Sequence, residues 1–239
     1  IWGGEVLLAD LENFDRIFHL EYLPLPGGDA AIRQPHRIAI AYLHELMPGL
    51  DMADLFPNVS AREIDVIKTM LERHVNTPLT SSAGRLFDSV SALLGLCYEV
   101  THEAQAAIAL EAEALRSTVE GPLYTFSLEE GQIRLGKLFN GLVGDLSNGV
   151  SVRDIARRFH LTLAEMAVEA ARAVRAEQNC LNTVALSGGV WQNRLLLEMA
   201  VAALEQKGFD VLLHHSVPAN DGGLAYGQAA VAAAVLKAK

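Results

Sequence analysis

The stretch Thr183-Val184-Ala185-Leu186-Ser187-Gly188-Gly189-Val190-Trp191-Gln192-Asn193 decides the fold class. Thr183 to Leu186 reads as a short apolar strand, Ser187-Gly188-Gly189 as a turn, and Val190 to Gln206 as a helix ending at Gly208. The unit then repeats. Val211 to Leu213 predicts a second strand, Pro218 to Gly223 a loop, and Leu224 to Lys237 a second helix. Strand, glycine loop and helix in tandem imply α/β layering, and in such folds ligands sit at the carboxyl ends of the strands. The two glycine loops are therefore the first places to expect a site.

Upstream of this repeat the pattern turns helical. Ser60 with Glu63, Ser151 with Asp154, and Thr162 with Glu165 each match a capping box, in which a hydroxyl satisfies an orphan amide while the carboxylate reaches back. Each pair predicts a helix start. Leu163, Met166, Ala167, Ala170, Ala171 and Val174 recur at helical spacing, with Glu165, Glu169, Arg172 and Arg175 on other faces. The charge run Arg153 to Arg158 reads as a solvated face. Nearer the start, Glu5 to Ala9 and Arg16 to Leu25 predict a hairpin around the polar turn Asp10 to Asp15, and Pro24, Pro26, Gly27 and Gly28 end it.

Composition narrows the function. The 239 residues are 51% hydrophobic and 20% charged, enough for a packed core and unlike a disordered chain. Lys and Arg total 19 against 29 for Asp and Glu, and the net charge of −10 gives no general attraction to nucleic acid or anionic lipid. Neither is expected as a partner. Gly222 to Leu236, rich in Ala and Gly and interrupted by Gln228, falls short of a membrane span. Cys97 and Cys180 are too few and too distant for a disulfide framework or zinc site, which makes a reducing cytoplasm the default; amid apolar neighbours both read as inert core thiols. Ile1-Trp2-Gly3-Gly4-Glu5 shows no signal pattern and reads like the inside of a domain, so the first residues are expected to continue a strand that starts upstream.

Three motifs carry chemistry, each with an ordinary structural alternative. Glycines at Gly188-Gly189 allow a nucleotide or phosphate to approach backbone amides at a helix start, or simply make a tight turn. Asn220-Asp221-Gly222-Gly223 places a carboxylate where it binds a divalent metal or caps the following helix. Thr80 to Asp88 opens a helix continuing from Val90 to Leu96; Asp88, one turn beyond Gly84, shares its face, which suits a vicinal diol such as ribose or leaves a surface carboxylate. His214 and His215, adjacent on the second strand, point to opposite faces and read as structural. His74, His102 and His160 have no partner at metal-ligand spacing.

Taken in order, Leu25-Pro26-Gly27-Gly28-Asp29-Ala30-Ala31-Ile32-Arg33-Gln34-Pro35, Ser81 to Asp88, Ser187 to Arg194 and Pro218 to Leu224 resemble the Kae1-like C-terminal transferase domain of the HypF carbamoyltransferase family, from Ile1 to nearly Lys239. The resemblance implies an α/β, actin-like, Hsp70-like, sugar-kinase-like (ribonuclease H-like) two-lobed fold. Residues 1–30 would be a β-hairpin remnant of an incomplete first lobe, and 31–239 a helix-rich second lobe. It implies carbamoyl transfer from carbamoyl-adenylate, made with ATP, to the C-terminal cysteine of a HypE-like acceptor in [NiFe]-hydrogenase maturation.

Carried over by motif, Gly84 and Asp88 would hold the ribose, Gly188, Gly189 and Asn193 the adenylate, and Asp221 would be one ligand of a divalent metal, iron or zinc. The family's other metal ligands, a histidine pair, lie upstream of this chain, so the chain by itself is expected to be inactive. Thr101-His102-Glu103-Ala104-Gln105 departs from the family's Tyr-Glu-Gly-Gln, and Glu103 is a further nucleotide-site candidate. Asp29 and Arg33 are candidates for a substrate channel or a loop anchor. A tRNA threonylcarbamoyltransferase shares the Gly-Gly-Val and Asp-Gly elements, and a nucleotide-binding or docking module without turnover is the third possibility.

Overall fold

The computed structural model describes residues 1–178 and 181–237; Cys180 lies outside them. In chain order the elements are β1 (Glu5–Ala9), β2 (Phe14–Leu20), β3 (Leu23–Pro24), α1 (Asp29–Arg33), α2 (Pro35–Leu46), α3 (Ala61–Glu72), β4 (Leu79–Thr80), α4 (Ala83–Leu93) and α5 (Gln105–Ala114). They continue with β5 (Ser127–Glu129), β6 (Gln132–Arg134), α6 (Gly136–Ser147), α7 (Val152–Glu177), β7 (Thr183–Ala185), α8 (Arg194–Gln206), β8 (Asp210–Leu212) and α9 (Leu224–Lys237). Helices and strands are mixed as an α/β chain requires. The chain divides into two compact units, Ile1–Gly4 with Leu20–Phe159, and Glu5–His19 with His160–Lys239.

The first unit is built on α2 and α4. Pro35 opens α2 with its φ already set for a helix, and Ile38 to Leu43 are all buried, so the middle of this helix is covered on every side. It packs on α4, whose Leu86 to Leu93 are buried in turn, and against α3 and α6. Tyr42 meets Phe139 edge-on at 5.9 Å between centroids, and Phe87 meets Phe159 at 5.2 Å, geometries the ring quadrupoles favour. β3 pairs antiparallel with β4. β5 and β6 form a hairpin around Glu130 and Gly131, both at positive φ, the backbone a two-residue turn needs.

In the second unit β1 and β2 form the expected hairpin, its turn held by Asp10 Oδ1, which accepts from the amides of Glu12 and Asn13 at 2.7 Å. β7 and β8 run parallel, with Ala185 opposite Leu212. α8 buries Leu195, Leu196, Ala200 and Leu204, while α9 buries no residue.

Several expectations are corrected. The strand read as Arg16 to Leu25 stops at Leu20, and Leu23–Pro24 pairs with β4 as a separate strand. Ser60 does cap α3, accepting from the Glu63 amide at 3.2 Å, but the Glu63 carboxylate goes to His36 Nε2 at 2.8 Å instead of reaching back. Ser151 accepts from the Asp154 amide at the head of α7, while the Asp154 carboxylate accepts from the hydroxyls of Ser151 and Ser117. No helix starts at Thr162: it is fully buried inside α7, because no Gly or Pro interrupts 152–177 and the apolar stripe continues through Phe159 and Ala164. Arg158 is not solvated. Its guanidinium bonds Asp145 at 2.9 Å and lies 5.5 Å over the Tyr124 ring.

Candidate functional site

The parallel strands β7 and β8 end level with one another, and their carboxyl ends carry the two glycine loops. The residue offset that pairs Ala185 with Leu212 continues past both strands and brings Ser187 Oγ to 3.0 Å from His214 Nε2. Gly188, at φ 106°, donates its amide to the Ala219 carbonyl at 2.8 Å, tying the first loop to the second. Asn220 Oδ1 accepts from the Gly222 amide at 3.1 Å and shapes a single 3-10 turn, Asp221–Gly223. A side chain at Gly223 would stand 2.4 Å from the Pro218 carbonyl oxygen, so that turn needs glycine.

A cavity of about 690 Å³ opens against these loops, within the range of small-molecule sites. Ser187, His214, Asn220, Asp221 and Gln228 are polar groups of its lining, and Leu224 and Val231 of α9 are apolar ones. Gly188 and Asp221 thus line the same cavity. Asn193 does not: it is the N-cap of α8, Oδ1 accepting from the Leu196 amide at 2.8 Å, with Nδ2 3.0 Å from His160 Nε2. The helix expected from Val190 therefore begins at Arg194. Gly189 to Gln192 form a 3-10 turn, and the orphan amides at the head of α8 lie beyond the glycines.

Gly84 and Asp88 belong to the first unit, on α4, where Ser82 caps the helix by accepting from the Arg85 amide. The helix stops at Leu93, short of the expected Leu96. Asp88 is no surface carboxylate: it is 4% exposed and paired with Arg85 at 2.9 Å. Burial pushes its pKa from 3.8 to about 6 against the pull of the Arg85 guanidinium. Glu103 is exposed in the turn before α5, next to Ala104, which sits in the left-handed region at φ 59°. Asp29 and Arg33 are exposed on α1. Cys97 lies buried in the turn after α4, its sulfur 3.2 Å from the Glu99 carbonyl, and burial raises its thiol pKa.

His214 is the functional candidate that the sequence reading passed over, because it extended the second strand through Leu213 and set the two histidines on its opposite faces. β8 ends at Leu212, and His214 stands in the loop at the cavity wall. For a metal, the fit is poor: among the described residues no group of three His, Cys, Asp or Glu gathers, and Asp221 is the one carboxylate lining the cavity. These residues do not by themselves complete a metal site.

The family model "Carbamoyltransferase, Kae1-like Domain, second subdomain" matches residues 1–228. The chain belongs to this family. It is 41% identical over 241 residues to the carbamoyltransferase HypF of Rhodobacter capsulatus, covering 99% of this chain and 30% of that protein. A carbamoyltransferase HypF homolog of Cupriavidus necator is 38% identical, with 97% of this chain and 61% of that protein covered. Among solved structures, full-length HypF in a phosphate- and nucleotide-bound form is 36% identical with a TM-score of 0.88, covering 98% of this chain and 37% of that one. HypF of T. kodakarensis follows at 31% and 0.84, covering 99% and 32%. The chain spans 30% of the Rhodobacter protein and 61% of the Cupriavidus one, and its fold is that of the Kae1-like domain. Among the described residues, no helix is long and apolar enough to cross a membrane.

Proposed function

We propose that this chain serves in a carbamoyltransferase of the HypF type, handling the adenylate while a carbamoyl group passes from carbamoyl-adenylate to the C-terminal cysteine of a HypE-like acceptor in [NiFe]-hydrogenase maturation, in the cytoplasm. The observation that carries this reading is the family match over residues 1–228, with relatives named carbamoyltransferase aligned along nearly the whole chain. In the reaction, the acceptor thiolate attacks the carbamoyl carbon, a carbon–sulfur bond forms, the carbon–oxygen bond to phosphate breaks, and AMP leaves with that electron pair. The thiol proton goes to solvent.

The residues are assigned to that task as follows. Asp88, one turn beyond Gly84 on α4, takes the ribose hydroxyls with a buried carboxyl that Arg85 holds in place. Gly188 and Gly189 bound the loop against which the adenylate lies. Asn193 supports that loop through the start of α8, and Glu103 is a peripheral contact. Asp221 offers one carboxylate to a divalent metal, iron or zinc.

Titration calorimetry of the chain with AMP tests the nucleotide assignment. Binding that disappears in Asp88→Ala is the expected result; binding unchanged in that variant removes the ribose role. In a full-length enzyme carrying this chain, Asp221→Ala is expected to abolish carbamoyl transfer, and undiminished transfer removes the metal-donor role.

A further inference from the structure

We infer that Arg85 is a positioning residue for diol recognition: by pairing with Asp88 it keeps that carboxyl an acceptor at neutral pH, and so gives the chain a preference for a vicinal diol over a single hydroxyl. The inference rests on the assignment of Asp88 to the ribose hydroxyls and names what makes that assignment work. Geometry carries it. Asp88 is 4% exposed on α4, and Arg85 stands one turn before it, with Nη2 2.9 Å from Oδ2. Among the described residues no other side chain pairs with this carboxyl, so Oδ1 is the oxygen left to a ligand.

A vicinal diol presents two O–H donors. An ionised carboxylate has about four lone-pair sites, so it can serve Arg85 and still receive both hydroxyls, whereas a protonated carboxyl carries an O–H of its own that competes with them. Burial by itself favours the protonated form, and the guanidinium opposes it. The groups that bear on Asp88 are Arg85 on its own helix, Tyr42 of α2 and Cys97 in the turn after α4. Burial raises the pKa of both the phenol and the thiol, which leaves them uncharged at neutral pH. α5, which also packs on α4, brings no charge to bear on it. Among the described residues, the ionised form therefore depends on Arg85.

Affinities of the 239-residue chain for AMP and for 2′-deoxy-AMP, followed by calorimetry from mildly acidic to mildly alkaline pH, test this. The wild type is expected to prefer AMP about tenfold at neutral pH, the size of one hydrogen bond to a charged group, and to lose that preference as pH falls through about 6 and Asp88 takes up its proton. Arg85→Gln should remove the preference at neutral pH and move its onset to higher pH. Arg85→Lys, which restores the charge, should keep most of it. A full preference in Arg85→Gln at neutral pH, or a loss that is the same in Arg85→Gln and Arg85→Lys at every pH, would overturn the role of Arg85 and leave the ribose assignment standing. If the wild type binds the two nucleotides equally, or binds neither, the ribose assignment fails and this inference fails with it.

Discussion

Arg85 Nη2 lies 2.9 Å from Asp88 Oδ2, one helical turn apart on α4, yet the carboxyl is pushed up to about pKa 6 because burial outweighs the guanidinium. The folded-state pKa lies above the unfolded value of 3.8, so between about pH 4 and 6 the folded chain binds more protons than the unfolded chain. The contribution of Asp88 to stability is therefore fully present below about pH 4 and is lost as pH rises to about 6, by about 3 kcal/mol at most. Urea unfolding at pH 4 to 7 should show this slope in the wild type and lose it in Asp88→Asn. An unchanged slope in the variant would place the cause elsewhere.

Asn193 holds two partners with one amide. Oδ1 takes the Leu196 amide, which fixes the side-chain orientation, and Nδ2 can only donate, so His160 Nε2 accepts and that ring carries its proton on Nδ1. Asn193→Ala should cost about 2 kcal/mol, roughly half from the lost cap and half from the lost hydrogen bond to His160 Nε2. Asn193→Asp keeps the cap and should cost clearly less. Equal losses in the two variants, measured as denaturation midpoints, would show that the cap contributes nothing.

Tyr124 leaves no room at Gly141. Its hydroxyl donates to Asp145 at 2.6 Å, Arg158 covers the ring, and a β-carbon at Gly141 would stand 2.5 Å from the ring's Cδ1. Gly141→Ala should destabilise the chain by about 1–3 kcal/mol through overpacking. In the double variant with Tyr124→Leu, which lacks the ring edge, the added penalty should shrink. A cost independent of residue 124 would argue against the clash.

Ala104 adopts φ 59° at the head of α5, where a side chain is strained and glycine is not. Ala104→Gly should raise stability by about 0.5–1 kcal/mol, the relief of strain less the added backbone freedom of the unfolded chain. Thermal unfolding with no gain would mean that the strain is offset by contacts of the methyl group.

Much of this was legible in the chain because it depends on near neighbours. The turn of Asp10, the cap of Ser60, the cap of Ser151 and the α9 span from Leu224 to Lys237 all follow from residues within a few positions of one another. The four motifs, read in order, also indicated the family that the comparison over residues 1–228 shows. Local chemistry fixes caps and turns because the competing water contacts are the same wherever the segment ends up.

What only tertiary structure decided is which of two local options each side chain takes. Glu63 satisfies the helix-start pattern yet turns to His36, 27 residues away, since a buried imidazole needs a partner more than an exposed amide does. Thr162 has the form of a cap and lies inside α7, because burial along the stripe holds the helix through it. Asp88 becomes a buried carboxyl of raised pKa through the packing of α2 against α4, and His214 meets Ser187 only when β7 and β8 pair in register. Desolvation and long-range register are sums over neighbours that a linear sequence does not place side by side.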